Sequence, residues 1–190
     1  MKKILVLADI HQKSFVLNSL DIFFHKNNID AVLILGDLTD RNDEAFAFAK
    51  DFYSLVVKRH NLELLYIHGN NEPQDVIDFF DKKGCSIHNN LKVFGGIRFL
   101  GIGGWCEDIA QSTLNNIKRS FFVTHLPPLK RGINKSIKNA PIIHAFGHSH
   151  RNEYFKKEGN TFYLSLRSAG YFKRAAIVNI PNLKVEFVSI

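Results

Sequence analysis

Cysteine is scarce in this chain, which has two in 190 residues, Cys85 and Cys106. Neither lies near the other in the sequence, so we expect no disulfide framework and a reducing, cytoplasmic location. Long apolar runs are also absent. The first run, Ile4 to Ala8, is too short for a secretory signal peptide or for a membrane span of about 20 residues. The sequence therefore excludes a disulfide-rich secreted scaffold and gives no support for a membrane role.

Acidic residues are fewer than basic ones, 18 against 25, and the formal net charge is +7. This balance favours association with an anionic phosphoester substrate or with nucleic acid, although charge does not determine a fold. The densest basic stretch contains Lys130, Arg131, Lys135 and Lys138 and follows His125 closely. It is either an ordinary solvated loop or a segment that attracts a phosphate, and both interpretations stay open.

Internal repeats, low-complexity tracts and a linker are absent as well. A length of 190 residues is enough to bury a hydrophobic core without disulfides, and it is close to the usual size of one domain. We therefore expect a single domain over residues 1–190. The oligomeric state stays open, and a homodimer is compatible with the sequence.

The first half of the chain alternates apolar runs with amphipathic stretches. Ile4–Leu7, Val32–Leu35 and Leu64–Ile67 predict buried parallel strands, and the amphipathic stretches after them predict crossover helices. The third helix is expected between Pro73 and Gly84, since proline favours the start of a helix and glycine its end. This pattern predicts an α/β fold.

After Gly84 the apolar runs become shorter, and the pair Gly95-Gly96 indicates a tight turn between two of them. We expect a second, more antiparallel sheet in this half. Strands in this half are expected at Leu91–Phe94, Ile97–Ile102, Phe121–Thr124, Ile142–Phe146, Tyr154–Phe155, Phe162–Leu166, Ala175–Ile180 and Val185–Ile190.

Polar residues follow the predicted strands closely. The seven side chains that can bind metal at these ends are Asp9, His11, Asp37, Asn70, His125, His148 and His150. Because the carboxyl ends of parallel strands meet at one edge of a sheet, we expect the seven to lie together. The two-residue spacing within Asp9–His11 and His148–His150 places both side chains on one side if the backbone is extended. Taken singly, Asp9 or Asp37 would be a helix cap or a turn residue, whereas the combination predicts a divalent-metal site.

The motifs D-x-H, G-D-x-x-D, G-N-x-[DE], a lone histidine and G-H-x-H occur in this order from Asp9 to His150. In this respect the chain resembles the calcineurin-like metallophosphoesterase family, and in particular its small single-domain, phosphodiesterase-type members. The resemblance implies a four-layer αββα sandwich of the metallo-dependent phosphatase type. It also implies one metal held by Asp9, His11, Asp37 and His150, and a second held by Asp37, Asn70, His125 and His148, with Asp37 as the bridge.

The activity implied is hydrolysis of a phosphodiester or a small phosphorylated compound. Two divalent ions, from among manganese, iron, zinc, nickel and cobalt, would activate a bridging hydroxide and stabilise the negative charge that develops on the phosphate. The residues expected to take part in catalysis are Asp37, Asn70, His125 and Asn71. Two alternatives remain: a nuclease or nucleic-acid-binding protein, which the basic balance favours, and a non-catalytic scaffold that retains the fold.

Asn71 departs from the family pattern, because many members carry a histidine after the metal-binding asparagine. An amide cannot act as a general acid, although it can donate a hydrogen bond to a phosphoryl or leaving-group oxygen. We therefore expect a preference for phosphodiesters or for good leaving groups. His68 is either a substitute acid or a structural histidine at the end of a strand.

Several further residues have two open interpretations. Asp40 is expected to cap a helix or to accept a hydrogen bond outside the ligand set. Arg167 either contacts a phosphate or lies on the surface, and Trp105 either walls a pocket or lies on its rim. His144 is expected in the core. The histidines expected on the surface are His25, His60 and His88.

Overall fold

The computed structural model describes residues 1–105, 111–128 and 140–190. The basic stretch with Lys130, Arg131, Lys135 and Lys138 lies outside the described residues, as does Cys106. The elements in chain order are β1 (Lys2–Leu7), α1 (Ser14–Lys26), β2 (Ala31–Leu35), α2 (Ala45–Tyr53), a π-helical turn (Ser54–Arg59), β3 (Glu63–Ile67), α3 (Gln74–Lys82), β4 (Lys92–Phe94), β5 (Ile97–Ile102), α4 (Gln111–Asn116), β6 (Phe121–Thr124), β7 (Ile143–Phe146), β8 (Tyr154–Glu158), β9 (Thr161–Ser165), α5 (Ala169–Phe172), β10 (Arg174–Ile180) and β11 (Lys184–Ser189).

The first sheet has the strand order β11-β10-β1-β2-β3. Its strands β1, β2 and β3 pair in parallel, and β10 joins β1 in antiparallel register. All five residues of β2 are buried, because both faces of this part of the sheet are covered. The continuous apolar runs of the first half therefore form the parallel strands that the sequence predicts. The last two strands, β10 and β11, belong to this sheet and not to the second sheet that the sequence places in the later half, because β10 pairs with β1.

The second sheet has the order β4-β5-β6-β7-β9-β8. Its central strands β5, β6, β7 and β9 pair in parallel, and only the outer pairs β4–β5 and β8–β9 are antiparallel. The prediction of a more antiparallel sheet is therefore wrong at the centre. The tight turns around Gly95-Gly96 and Gly159 produce hairpins, whereas the longer connections between β5, β6 and β7 return the chain to the same edge and force parallel pairing.

Three clusters of buried apolar side chains show the layer order. One lies between the first sheet and helices α1 to α3, and it includes Leu20, Phe52 and Phe80. A second lies between the two sheets, and a small third cluster covers the outer face of the second sheet where Ile117 follows α4. Two sheets packed face to face and flanked by helices confirm the expected four-layer αββα arrangement. No helix within the described ranges is both long and apolar enough to cross a membrane.

Candidate metal centre

The ends of strands from both sheets place the seven predicted ligand residues at one edge of the molecule. Asp9 and Asp37 each lie two residues past their strands, Asn70 lies three past β3, and His125 directly follows β6. Short distances join all seven side chains through two groups of ligand atoms. The packing of the two sheets therefore brings together residues that are up to 141 positions apart, from Asp9 to His150.

The first group consists of Asp9, His11, Asp37 and His150, whose ligand atoms all lie within 4.8 Å of one another. The Nε2 atoms of His11 and His150 are 3.2 Å apart. Nε2 of His150 lies 3.5 Å from Oδ1 of Asp9, and Nε2 of His11 lies 3.8 Å from Oδ2 of Asp37. Two imidazoles and two carboxylates that converge in this way could hold one divalent ion.

The second group shares Asp37 with the first and adds His125 and His148. Nε2 of His125 lies 3.4 Å from Oδ2 of Asp37 and 3.3 Å from Nδ1 of His148. Asn70 joins this group, since its Oδ1 is 3.0 Å from the same Nε2 of His125. A carboxylate common to both groups could bridge two ions.

Left-handed backbone conformations aim these ligands at the centre. The φ angles of Asp9, His11, Asp37, His148 and His150 lie between 50° and 64°. The extended backbone that would place both side chains of the D-x-H or H-x-H motif on one side is therefore not adopted, because the chain turns sharply as it leaves each strand. Each such residue costs roughly 1–3 kcal/mol, and strain of this kind is characteristic of functional sites.

Three glycines allow the loops to approach the ligands closely. A Cβ atom on Gly36 would lie 2.5 Å from Nδ1 of His125, and one on Gly147 would lie 2.8 Å from Oδ2 of Asp9. A Cβ on Gly69 would overlap Oδ1 of Asp37. The close packing of these loops around the carboxylates of Asp9 and Asp37 therefore depends on the absence of side chains at the three glycines.

Hydrogen bonds outside the ligand groups orient two of the imidazoles. Nδ1 of His11 lies 2.6 Å from Oδ1 of Asp40, and Nδ1 of His125 lies 2.9 Å from the carbonyl oxygen of Leu35. A carboxylate and a carbonyl can only accept, so in the neutral rings the proton is on Nδ1 and Nε2 keeps its lone pair. Both rings are thus held in the tautomer that binds metal through Nε2.

Asp37 and His125 each stabilise the charged form of the other. Burial opposes the ionised form of Asp37, but the hydrogen bond and charge of His125 outweigh it and lower the pKa of Asp37 to about 2. Burial also opposes the cationic form of His125, yet Asp37 and Asp9 raise the pKa of this histidine to about 9. In the metal-free protein the two residues form an ion pair, and a cation must displace the proton of His125 to bind there.

Asn71 lies against the shared carboxylate. Its side-chain Nδ2 donates to Oδ2 of Asp37 over 2.8 Å, and its backbone N–H donates to Oδ1 over 3.0 Å. The amide therefore orients Asp37 in this structure. That Asn71 donates a hydrogen bond to a phosphoryl or leaving-group oxygen stays a prediction.

The sequence pattern assigned no role to Glu72, which organises the loops around Asp37. Its buried carboxylate accepts backbone N–H groups from Gly69, Leu38 and Asp37 over 2.6, 2.5 and 3.2 Å. Burial, followed by repulsion from Asp37, raises the pKa of Glu72 to about 8. The acid at the end of the G-N-x-[DE] motif was the only sign of this role.

A cavity of about 440 Å³ borders the centre and is lined in part by Arg41, His68, Asn70 and Trp105. Trp105 is 42% exposed, and its ring lies 6.1 Å from that of His148, so it forms part of the cavity wall. Burial, with the nearby His88 and His125, lowers the pKa of His68 to about 4. His68 is therefore neutral at pH 7 and poorly suited to donate a proton.

Two further residues, Arg167 and Tyr171, belong to neither ligand group. Arg167 is exposed, donates to the carbonyl of Arg151 over 2.9 Å and lies over the ring of Phe172. Tyr171 was not predicted, and its ring lies 5.6 Å from that of His11 and 5.5 Å from that of His150. No motif in the sequence indicated this tyrosine.

The other histidines are distributed between core and surface differently from the prediction. His144 lies in the core, where Nε2 is 2.9 Å from Oγ1 of Thr124 and burial lowers its pKa to about 3. His25 is exposed, but the surface prediction is wrong for His60 and His88. The side chain of His60 is 11% exposed and packs on Phe24, whereas Nδ1 of the half-buried His88 accepts from the backbone of Gly103.

Comparisons with known proteins concern the family and the fold. A family model described as calcineurin-like phosphoesterase matches residues 2–184. An uncharacterized protein of Methanocaldococcus jannaschii is 27% identical in sequence, and the match covers 77% of this chain and 81% of that protein.

Solved structures share the fold over almost the whole chain. A protein of Thermus thermophilus has a TM-score of 0.72 at 14% identity, with 99% of this chain and 98% of that chain covered. A novel archaeal phosphodiesterase has a TM-score of 0.65 at 14% identity, with 99% of each chain covered. A dimetal phosphatase from Danio rerio has a TM-score of 0.67 at 10% identity, with 99% and 98% covered. At such low identities the likeness concerns the fold alone.

Proposed function

Because this chain belongs to the calcineurin-like phosphoesterase family, we propose that it hydrolyses phosphoesters at a centre of two divalent metal ions. The observation that carries this proposal is the pair of ligand groups that share the carboxylate of Asp37. The catalytic unit is a single domain over residues 1–190, since strands from both ends of the chain build one sheet beside the centre.

The first ion would be held by Asp9, His11, Asp37 and His150, and the second by Asp37, Asn70, His125 and His148. Carboxylate, imidazole and amide donors suit manganese, iron, zinc, nickel and cobalt, so the ligand chemistry fits such ions without selecting one. The glycines around Asp9 and Asp37 support this assignment, because a side chain at these positions would collide with the ligand residues.

When bound, the two ions would polarise a phosphoryl oxygen and lower the pKa of a water molecule. The protein holds the ligands for this chemistry. Asp40 and the carbonyl of Leu35 fix the rings of His11 and His125, and Asn71 fixes the carboxylate of Asp37. Asp9 and Asp37 supply two negative charges to the ions, and Asn70 adds an oxygen without a further charge, which leaves the centre positive and able to bind an anionic phosphate.

The preferred substrates are phosphodiesters and esters with good leaving groups. An alkoxide leaving group needs a proton donor, whereas a weakly basic leaving group departs without one. Asn71 cannot supply a proton, and the low pKa of His68 leaves its ring neutral at pH 7, without the imidazolium proton that a general acid donates. The preference therefore rests on the absence of a titratable acid at position 71.

Hydrolysis of bis(4-nitrophenyl) phosphate and 4-nitrophenyl phosphate tests the proposal. Chelated protein is assayed with each candidate metal in turn, and wild type is compared with Asp37→Asn and with Asp43→Asn. Asp43 is an exposed carboxylate outside the ligand groups, so its variant controls for loss of one charge. We expect Asp37→Asn to lose at least about 100-fold in turnover, since loss of a mere hydrogen-bond partner of a ligand already costs roughly 10–100-fold.

Wild-type turnover by Asp37→Asn would refute the shared-ligand assignment. Metal binding without hydrolysis of either ester would instead favour the non-catalytic scaffold. The ratio of diester to monoester turnover decides the substrate preference, and a ratio below one with every metal would contradict it.

A further inference from the structure

A second group of metal-competent side chains lies at the far end of helix α1 from the metal centre. Asp21 and His25 belong to α1, and His60 directly follows the π-helical turn. The helix begins at Ser14, three residues after the ligand His11, and His25 lies about 16 Å further along, at a rise of about 1.5 Å per residue. The group is therefore separate from the ligands of the phosphoesterase centre.

The three side chains converge on one oxygen atom. Nε2 of His60 lies 2.7 Å from Oδ1 of Asp21, and Nε2 of His25 lies 3.7 Å from the same oxygen. The two imidazole rings meet edge to face with their centroids 4.9 Å apart. One ligand atom from each residue lies within 4.8 Å of the others, so a single ion can reach all three after small side-chain movements.

The local backbone creates this convergence. Asp21 and His25 are four residues apart on a helix and therefore share one face. The π-helical turn carries the chain past α2, and the N–H of His60 bonds to the carbonyl of Leu55, five residues earlier. A π-helical turn is uncommon and often marks a functional site. It brings His60 to α1, where the ring packs 5.1 Å from that of Phe24 and is only 11% exposed.

Arg59 holds the other oxygen of the same carboxylate. Its Nη2 lies 2.9 Å from Oδ2 of Asp21, so Oδ1 is left to face the imidazoles. Hydrogen bonding to the free oxygen of a carboxylate is the usual support for a metal ligand. Because Arg59 offsets the charge of Asp21, affinity depends on the two imidazoles, which favours zinc over calcium or magnesium.

We propose that Asp21, His25 and His60 form a Zn²⁺ site distinct from the phosphoesterase centre. Two imidazoles and one carboxylate give three protein ligands, and the fourth tetrahedral position is open to solvent because the side chain of His25 is 65% exposed. The ion links the end of α1 to the end of the π-helical turn. The proposal does not depend on the activity of the phosphoesterase centre.

Zinc stoichiometry tests the site. Chelated protein is titrated with Zn²⁺ alone, and bound zinc is counted for wild type, Asp21→Asn, His25→Gln and Asp51→Asn. Asp51 is an exposed acid on neighbouring α2 and controls for loss of charge. We expect Asp21→Asn and His25→Gln each to bind one ion fewer than wild type, and Asp51→Asn to bind as many as wild type.

The same count with Asp37→Asn separates this proposal from the preceding one. His25→Gln should remove one zinc ion from the Asp37→Asn protein as it does from wild type, whatever remains at the phosphoesterase centre. Amide hydrogen exchange locates the ion, because zinc should slow exchange at residues 54–60 in wild type and not in His25→Gln. Equal stoichiometry in all variants, or equal exchange with and without zinc, would overturn the site.

Discussion

Asp37 joins the two ligand groups, and its neighbours explain how a buried carboxylate stays ionised. The side chain is only 1% exposed, yet it receives hydrogen bonds from both the backbone and the side chain of Asn71 and faces the ring of His125. These partners compensate the desolvation of the charge. At the scale of single residues, the charge of Asp37 therefore depends on the ligand His125 and on Asn71, which is not among the seven ligands.

Replacing Asn71 with histidine should change the dependence of the rate on the leaving group. An imidazole can donate a proton, and a general acid contributes roughly 10²–10⁴-fold. We expect Asn71→His to raise turnover of an alkyl phosphoester relative to a 4-nitrophenyl ester. Steady-state rates over a series of leaving groups provide the measurement.

Asn71→Ala is the control, since it removes the hydrogen bond to Asp37 without adding an acid. This variant should slow all esters by a similar factor. If Asn71→His and Asn71→Ala showed the same slope against leaving-group pKa, position 71 would have no influence on the departing oxygen.

At the scale of elements, helix α5 fixes the loop that carries Asp9. Backbone N–H groups of Ala169 and Gly170 donate to the carbonyls of Ala8 and Asp9, and the hydroxyl of Ser168 donates to the carbonyl of Asp9 over 2.6 Å. A Cβ on Gly170 would collide with the carbonyl of Ile10, so the helix and the loop are in direct contact. A short helix late in the chain thus positions a ligand near the start.

Ser168→Ala should destabilise the metal-free protein by about 1–2 kcal/mol. The hydroxyl caps α5 by accepting the N–H of Tyr171, and loss of such a cap costs roughly 0.5–2 kcal/mol. It also leaves the buried carbonyl of Asp9 with one donor fewer. Urea unfolding measures the effect. Ser189→Ala at an exposed position of β11 is the control, because it removes a hydroxyl that accepts only a solvent-exposed hydrogen bond from Arg174. A loss no larger than that of the control would show that the cap does not hold the loop.

At the scale of the whole molecule, the stability of the metal-free protein should depend on pH in a defined direction. The pKa of His125 rises from 6.5 to about 9 on folding, so its contribution is complete below pH 6.5 and is lost as pH rises through 9. The pKa of Glu72 rises from 4.5 to about 8, and its contribution is likewise lost as pH rises. The pKa of Asp37 falls from 3.8 to about 2, so its contribution is lost only as pH falls below 3.8.

We therefore expect the free energy of unfolding of chelated protein to be higher at about pH 6 than at about pH 9. Urea unfolding in the presence of a chelator provides the measurement, and His125→Asn should show a smaller difference between the two pH values. Added metal should restore stability at the higher pH, because it binds the neutral imidazole. Equal stability of chelated wild type at both pH values would contradict the coupled ion pair.

The ligand motifs and the parallel strands β1, β2 and β3 could be predicted from the sequence alone, whereas the place of β10 and β11 in the same sheet could not. Continuous apolar runs bury both faces of a strand, and the D-x-H, G-D-x-x-D and G-H-x-H motifs follow such runs directly, so the local pattern contains the information. The parallel centre of the second sheet was missed, because short apolar runs do not reveal whether the next strand returns by a hairpin or by a crossover.

The sequence by itself determined which residues can bind metal and at which strand ends they lie. Only the tertiary structure decided that Glu72 ties three backbone amides together, that Asn71 orients Asp37, and that the π-helical turn carries His60 to Asp21. The physical reason is the separation along the chain over which each effect acts. Burial and periodicity act on neighbours along the chain, whereas left-handed turns and hydrogen bonds between distant loops depend on where the packed sheets bring those loops together.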